Sequence, residues 1–318
     1  MSRHATGPSG LPARGGVVEG GGMISRKYLY LIALAREKHF GRAAASCHVS
    51  PSTLSAAIRD LESELGVAVV ERGQQFAGLT PEGQRVLDYA QRVAASAADL
   101  HQELASLRGG LSGRLRLGVI PTALTVVASL TSGFALRHPQ VRTEVLSLAT
   151  DEILARLRAF ELEAGIIYTE SAAEPDLAMV PLSDENHVVL APADGQLAER
   201  DNVSWQEAAR LNLCLLTPDM QNRRTIDGVF QRLGCRPNIT LESNSIVSIL
   251  AHVCSGTWCS IVPRAVLELI GTPRGVKTLE LVEPRLAWQI ALVAMAREPR
   301  SPMVQALFSE AINFSGRG

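Results

Sequence analysis

A run of apolar residues at heptad spacing is the feature that most constrains what this chain can fold into. Between positions 86 and 107 the separations alternate between four and three residues, and the positions are Val86, Ala90, Val93, Ala97, Leu100, Leu104 and Leu107. This spacing places one apolar stripe along a single helix, as in helices that pair with a second helix of the same kind. We therefore predict a linker (dimerisation) helix over residues 81–108 and a hinge over the Gly-rich residues 109–113. The alternative is a helix that packs its stripe against the rest of its own chain.

The segments on either side of this helix differ in pattern, so the 318 residues are expected to form several domains. Short helical patterns precede it. Apolar runs that alternate with amphipathic segments follow it, which is typical of α/β domains. Residues 1–22 include seven Gly and are expected to be a disordered extension. No secretion signal is recognisable, and the charge-free stretches contain polar residues that lipid disfavours, so we expect a cytoplasmic protein with no membrane segment.

The sharpest local pattern lies between residues 42 and 66. Ser50 is a residue type that caps helices, Pro51 suits a first helical turn, and Gly66 suits the position just after a helix. A helix is therefore predicted over 51–65. An earlier, alanine-rich helix is predicted over 42–47, three residues before it. Small residues let two helices cross closely, so the pair is predicted to be a helix-turn-helix.

Local charge favours a nucleic-acid partner for this segment. The whole chain has a formal net charge of −1, but residues 26–59 hold six basic side chains and one acidic side chain. Such a local excess of positive charge is typical of a surface that meets the phosphates of double-stranded DNA. Residues 67–80 are predicted to form a strand-loop-strand wing, and Thr80 is predicted to cap the linker helix.

These segments resemble the amino-terminal winged helix of LysR-type transcriptional regulators. The likeness extends over residues 23–314, and the segments that carry it are 39–44, 49–55, 58–62, 65–66, 71–72 and 79–83. The family implies an α+β multi-domain fold: a winged helix-turn-helix at 23–80, the long dimerisation helix, and a carboxy-terminal two-lobed α/β domain resembling type 2 periplasmic binding proteins. Lobe I then comprises 114–183 and 291–318, and lobe II comprises 184–290. The family also implies a homodimer or homotetramer.

Helix geometry and the resemblance together select candidate DNA-binding residues. The candidates are Arg42, Ser50, Ser52, Thr53, Ser55, Arg59 and Arg72. We expect the residues on the 51–65 helix to face the groove, and the two arginines at 42 and 72 to face phosphates. The alternative for each is a solvated side chain. The chain departs from the family at 51–53, at Ala56 and at the wing residues Gln74 and Gln75, so the resemblance assigns no base contact.

Three predicted strands of the carboxy-terminal half, at 115–120, 213–216 and 241–242, lead into polar residues at the start of a helix. The free amide groups and the dipole of a helix amino terminus favour an anion, so we expect a small anionic effector in the cleft between the lobes. The candidate effector-binding residues are Thr122, Ser147, Thr150, Thr169, Thr217, Asn244 and Ser245, with Arg223 and Arg224 as candidate cations. The family commonly has Ser or Thr at the position of Thr122. The alternative role for these side chains is helix capping.

The predicted function is a ligand-responsive regulator that alters transcription of a metabolic operon, and one hypothesis links that operon to formate. The alternative is a redox-sensing regulator that uses cysteines. The peroxide-sensing branch of the family has a reactive cysteine in the loop that here, at 217–224, contains none. An enzyme is not expected, because the sequence has no G-x-S-x-G, P-loop, G-x-G-x-x-G or H-E-x-x-H motif. No cofactor is expected, and His252, Cys254 and Cys259 lack the neighbours of a metal site.

Overall fold

A computed structural model describes residues 24–71, 76–172 and 174–315. The predicted disordered extension at 1–22 and the wing residues Arg72, Gln74 and Gln75 lie outside the described residues. The chain divides into two compact units, Met1–His101 and Gln102–Gly318. A helical unit with a long helix and an α/β unit follow one another along the chain, as the predicted fold class requires.

Helices dominate the amino-terminal unit. They are α1 (Arg26–Glu37), α2 (Phe40–Ser46), α3 (Pro51–Leu65) and α4 (Pro81–Gly109), the last of which continues into the second unit. Apolar side chains of the first three helices form the core: Tyr30, Leu31, Leu34, Ala43, Ala44, Leu54, Ile58 and Leu61. Helix α2 begins before the predicted residue 42, because His39 Nδ1 accepts hydrogen bonds from the N–H groups of Gly41 and Arg42 at 3.0 and 3.3 Å and so caps the helix.

Capping residues mark the ends of α3 and the start of α4, as predicted. Ser50 Oγ accepts a hydrogen bond from the Thr53 N–H at 3.1 Å, and Gly66 ends α3 with a φ of 70°. Thr80 Oγ1 accepts a hydrogen bond from the Gly83 N–H at 2.9 Å at the start of α4. Helix α4 ends at Gly109, so it extends by one residue into the predicted hinge.

Within the described residues, the two arms of the predicted wing are joined by an antiparallel bridge between Val70 and Leu79. The Glu71 N–H also donates to the Gly78 carbonyl oxygen, and the Thr80 N–H to the Val69 carbonyl oxygen, each at 3.1 Å. The carboxylate of Glu62 on α3 supplies a further partner for this segment. Glu62 Oε1 accepts hydrogen bonds from the N–H groups of Val69 and Val70 at 2.8 and 3.1 Å. Backbone amides need a partner when they are shielded from water, and here a side chain takes the place of a neighbouring strand.

Strands and helices alternate in the carboxy-terminal unit. The strands are β1 (Gly113–Val119), β2 (Val141–Ser147), β3 (Ala164–Tyr168), β4 (Leu177–Pro192), β5 (Asn202–Ser204), β6 (Leu213–Leu216), β7 (Ile239–Ser243), β8 (Ser260–Pro263), β9 (Val276–Val282) and β10 (Ala287–Met295). The helices are α5 (Leu124–Arg137), α6 (Thr150–Arg158), α7 (Trp205–Ala208), α8 (Gln221–Arg232), α9 (Ile246–Cys254), α10 (Arg264–Ile270) and α11 (Pro302–Ser315). Across the described ranges, no helix is both long and apolar enough to cross a membrane.

Strand β4 joins the two lobes of this unit. The main sheet has the order β2-β1-β3-β10-β4-β9-β5, with β8 beside β4, and β6 and β7 form a separate parallel pair. The first half of β4 pairs with β10, and its second half pairs with β8 and β9. The register between β4 and β10 shifts between Ile290 and Ala291. This shift lies beside the predicted lobe boundaries, which stay a prediction.

Thr122 does not begin an α-helix, in contrast to the prediction. Pro121–Ala123 form a 3-10 turn, and α5 begins only at Leu124. The Ala123 N–H donates to the Ile120 carbonyl oxygen at 3.0 Å, which is the tighter bond of a 3-10 turn. The side chain of Thr122 is nevertheless buried at the end of β1, and this position brings it to the site described next.

Candidate functional site

The exposed face of α3 carries three of the predicted DNA-binding residues. Ser52, Thr53 and Arg59 are exposed, and Ser55 is partly buried. The opposite face of α3 is buried in the core of the amino-terminal unit. An amphipathic helix of this kind leaves its polar side chains free for a partner. Contact between these side chains and DNA stays a prediction.

The predicted residues that flank this face have partners of their own. Ser50 Oγ caps α3 and also lies 2.8 Å from the hydroxyl groups of both Ser52 and Thr53. Arg42 is exposed on α2 and donates to the Glu37 carbonyl oxygen at 2.7 Å. Arg72 lies outside the described residues. The hydroxyl of Ser50 therefore serves the helix itself, whatever else it contacts.

The predicted apolar stripe on α4 is exposed in the single chain. Val93, Leu100, Leu104 and Leu107 expose 45%, 42%, 51% and 79% of their surface, whereas Ala90 is buried. Large apolar side chains along one helix face are typical of a surface that a partner covers. The exposure favours pairing of two chains over packing against the rest of the same chain.

A cluster of buried polar side chains lies where elements of the carboxy-terminal unit meet. Thr122 follows β1, Tyr168 ends β3, Glu185 and His187 lie on β4, and Asn222 lies in the first turn of α8. Each of the five exposes 5% of its surface or less. We call these five residues the polar cluster. Polar side chains are rarely buried without hydrogen-bond partners in the protein, because burial removes their hydrogen bonds to water.

Hydrogen bonds connect the five members of the polar cluster. Asn222 Nδ2 lies 3.2 Å from Tyr168 Oη and 2.6 Å from His187 Nε2. Thr122 Oγ1 lies 3.2 Å from Tyr168 Oη, and Tyr168 donates to Glu185 Oε1. Because the amide nitrogen of Asn222 only donates, Nε2 of His187 accepts, and its hydrogen is on Nδ1. The network therefore fixes the tautomer of the histidine.

Burial decides the charges of the polar cluster. It raises the pKa of Glu185 to about 7, although hydrogen bonds from Tyr168 and Thr122 oppose the rise. It lowers the pKa of His187 to about 3 and holds the pKa of Tyr168 well above its usual value. At neutral pH His187 and Tyr168 are therefore uncharged, and Glu185 titrates.

Two atoms of the polar cluster have no hydrogen-bond partner among the described residues. They are Glu185 Oε2, which accepts when the carboxylate is ionised, and His187 Nδ1, which donates. The hydroxyl groups of Thr150 and Thr217 in the same unit are also buried without a partner. A buried polar group without a partner costs about 1–3 kcal/mol, which a bound polar molecule would recover. The cluster therefore has the chemistry of a binding site for a small polar ligand.

The predicted effector-binding residues have different outcomes. Thr122 belongs to the polar cluster. Ser147 and Asn244 are exposed, and Thr169 is partly exposed on a 3-10 turn. Ser245 Oγ accepts from the Ser248 N–H at 3.4 Å and caps α9, which is the alternative role. None of these placements tests ligand contact, so the seven assignments remain predictions.

The two candidate cations are engaged elsewhere. Arg223 is buried and pairs with Asp227 and Glu242 at 2.9 and 2.7 Å. Arg224 pairs with Asp151 on α6 at 2.8 Å. Both arginines that were candidates for binding an anion are therefore paired with carboxylates of the protein.

Tyr168, Glu185, His187 and Asn222 were not predicted from the sequence. The signal for two of them lies in residues 184–187, where a strand-like alternation places Glu185 and His187 on one face of β4 and Asp184 and Asn186 on the other. In the described part of the chain, no group of three or more His, Cys, Asp or Glu side chains is placed to hold a metal ion.

The cysteines of the carboxy-terminal unit are dispersed: Cys214 lies on β6, Cys254 ends α9, and Cys235 and Cys259 lie outside the named strands and helices. Cys214 and Cys259 are buried, Cys235 is partly buried, and Cys254 is exposed at the end of α9. Burial raises the pKa of Cys214 to about 11 and raises the pKa of Cys259 as well. Both buried thiols are therefore protonated at neutral pH, and a protonated thiol is a poor nucleophile.

Both units have counterparts in one protein family. Residues 25–84 match the bacterial regulatory helix-turn-helix proteins of the lysR family, and residues 108–313, more than half of the chain, match the LysR substrate binding domain. The chain belongs to the LysR family. As a LysR-type regulator it binds DNA, takes a small-molecule effector and forms oligomers, and its family consists of transcriptional regulators rather than enzymes.

Relatives of this LysR-type regulator include peroxide-responsive proteins. A hydrogen peroxide-inducible genes activator of Dickeya chrysanthemi is 30% identical over 88% of this chain and 91% of the relative. A full-length OxyR of Pseudomonas aeruginosa, in which a cysteine is replaced by aspartate, is 30% identical, with a TM-score of 0.72 over 90% of this chain and 93% of that one. CbnR in complex with its target DNA is 20% identical, with a TM-score of 0.63 over 91% and 99% of the two chains, and shares the fold.

Proposed function

We propose that this regulator controls transcription in response to a small polar effector that binds reversibly at the polar cluster. The observation that carries the proposal is the pair of buried, unpartnered atoms, Glu185 Oε2 and His187 Nδ1. An acceptor and a donor within one cluster match a molecule that both donates and accepts hydrogen bonds. In the cell such a regulator works where the chromosome is, in the cytoplasm.

The effector would act by changing how the two lobes meet. Thr122 follows β1 and Tyr168 ends β3, whereas Asn222 lies on α8, which contacts β6 and α7. A ligand held by both groups favours one arrangement of the lobes only if it binds that arrangement more tightly. Through the oligomer, this change would alter how the α3 residues Ser52, Thr53, Ser55 and Arg59 are presented to DNA.

Redox sensing through cysteines is the second candidate. The names of the relatives favour it over an anionic metabolite, and they give no support to formate. Reversible binding does not suit hydrogen peroxide, since two heavy atoms at a ceiling of about −1.5 kcal/mol each give a Kd of roughly 6 mM. A peroxide response would therefore need covalent thiol chemistry, and the exposed thiol of Cys254 is the accessible one.

Thermal unfolding of the full chain with a panel of small polar molecules, including carboxylic acids, amides and hydrogen peroxide, separates the two candidates. We expect a reversible ligand to raise the Tm of the wild type. At a hundredfold excess of ligand over Kd, the free energy of unfolding should rise by about 2.7 kcal/mol. Thr122→Val should lose this shift and Cys254→Ser should keep it. A shift that Thr122→Val leaves unchanged contradicts the proposed site. An oxidant effect on DNA binding that thiols reverse and Cys254→Ser abolishes would instead support redox sensing.

A further inference from the structure

We propose that Glu185 makes the effector site take a small anion only together with one proton, so that the site selects neutral protic molecules and weak acids over permanent anions. The inference rests on the proposed function, since it concerns the ligand class of the same polar cluster. It replaces the expectation of a plain anion site at helix amino termini. The charges that surround Glu185 decide whether an anion can bind beside its carboxylate.

The groups that face Glu185 supply no free positive charge. Tyr168 on β3 and His187 on β4 contact its carboxylate, His187 Nε2 at 3.5 Å from Oε1, and both are uncharged at neutral pH. On β10, its pairing partner is Trp288, which carries no charge. Thr122 and Asn222, which hydrogen-bond to Tyr168, are neutral as well.

One arginine, Arg264 on α10, lines a small cavity that Glu185 also lines. This cavity of about 70 Å³ is lined by Glu185 itself and by Asp184, Arg264 and Glu268. Arg264 forms an ion pair with Glu280 on β9 and shares the cavity with two further carboxylates. The charged side chains that line this cavity are therefore mostly acidic.

An anion that enters such a site meets a carboxylate with no compensating cation. If Glu185 takes up a proton, Oε2 changes from an acceptor into a donor and bonds to the anion, while His187 Nδ1–H donates without titrating. One proton is bound for each anion bound. An acid that brings its own proton gives the same complex, and a neutral protic molecule needs no proton uptake.

The pH dependence of affinity follows from the pKa of Glu185, which burial raises to about 7. The protonated fraction of such a group falls about 30-fold between about pH 6 and about pH 8.5. The affinity of the wild type for a small carboxylate should fall by the same factor. The neutral amide of Glu185→Gln offers a permanent donor, so its affinity should be the same at both pH values.

Thermal-shift titrations of the full chain with formate and acetate, the smallest carboxylates, test the inference. We expect wild type and Glu268→Gln, a control on the same cavity, to bind about 30-fold more weakly at about pH 8.5 than at about pH 6, and Glu185→Gln to bind equally at both. Equal wild-type affinity at both pH values overturns the inference. So does the absence of binding in every protein, because Glu185→Gln should admit an anion.

A second measurement uses the wild type alone, in case Glu185→Gln does not fold. Adding formate to weakly buffered protein near pH 8 should consume about one proton per bound formate, as recorded by a pH electrode. Formate binding without proton uptake overturns the inference. A failure of the proposed function would give a different result: Thr122→Val would bind the probe as tightly as the wild type does.

Discussion

Two side chains on β4, Glu185 and His187, show how one physical cause produces opposite shifts. Burial disfavours the charged form of each group, so it raises the pKa of the carboxyl group and lowers the pKa of the imidazole. Near pH 6 both groups are therefore mostly neutral inside the protein. This is the state in which a buried polar cluster costs least, and it is also the state that offers hydrogen-bond donors to a ligand.

Replacing Glu185 should change how stability depends on pH. The folded protein keeps a proton on Glu185 that the unfolded chain releases above about pH 4.5, the ordinary value for the group. The stabilisation by this proton is complete below about pH 4.5 and is lost as the pH rises through about 7. Relative to Glu185→Gln, the wild type should lose roughly 3 kcal/mol of unfolding free energy over this range. Urea unfolding across a pH series measures the difference, and parallel curves for the two proteins would refute it.

The residues of the site were only partly visible in the sequence. Thr122 could be predicted because it follows a clear buried strand and matches a family position. Glu185 and His187 belong to a polar run, Asp-Glu-Asn-His at 184–187, that alone resembles a solvated segment. Their burial depends on β10 and α8, which are distant in sequence, so no local pattern announces it.

Helix ends were the most predictable elements because short-range chemistry sets them. The residues at 50, 66 and 80 cap or end α3 and α4 where the sequence indicates. The turn at Thr122 was predicted less well, because a 3-10 turn precedes α5 there. The hydrogen bonds that Glu62 accepts from the wing segment were not predicted either, since they join residues seven and eight positions apart.

The close approach of α4 to Val69 supplies a test at the scale of elements. A side chain at Gly83 would clash with the Val69 carbonyl oxygen, whereas one at Gly109 in the same helix meets nothing within 4 Å. Gly83→Ala should therefore destabilise the amino-terminal unit by about 1–3 kcal/mol, as overpacking does. Gly109→Ala should be neutral or slightly stabilising, since alanine favours helix. Thermal unfolding compares them, and equal effects would contradict the packing.

The exposed apolar stripe on α4 is predicted to form the interface between two chains of the oligomer. Leu104→Glu places a charge on the stripe, so it should weaken self-association, and DNA binding should weaken with it because paired units share one site. Ala105→Glu adds the same charge at an exposed neighbouring position off the stripe. Sedimentation velocity over a concentration series checks both variants. Equal association of Leu104→Glu and Ala105→Glu would show that the stripe does not form the interface.

The architecture of the whole molecule was predicted more fully than its chemistry. The heptad spacing and the family motifs are regular over many residues, so they identify the long helix and both units. The effector is different, because its identity depends on a few side chains that tertiary packing brings together. The sequence indicated an anion, and the polar cluster instead combines a titrating carboxyl group with neutral donors.

Selection of binding sites from random double-stranded DNA by the full chain tests whether α3 reads DNA. Two α3 helices on a symmetric pair of chains should enrich an interrupted inverted repeat, bound about 10³-fold more tightly than scrambled DNA or better. Arg59→Ala should bind the selected repeat more weakly, by about 1–3 kcal/mol if Arg59 contacts a base. No enrichment over scrambled DNA, or an Arg59→Ala variant with unchanged affinity and preference, would contradict the assignment of α3 as the DNA-reading element.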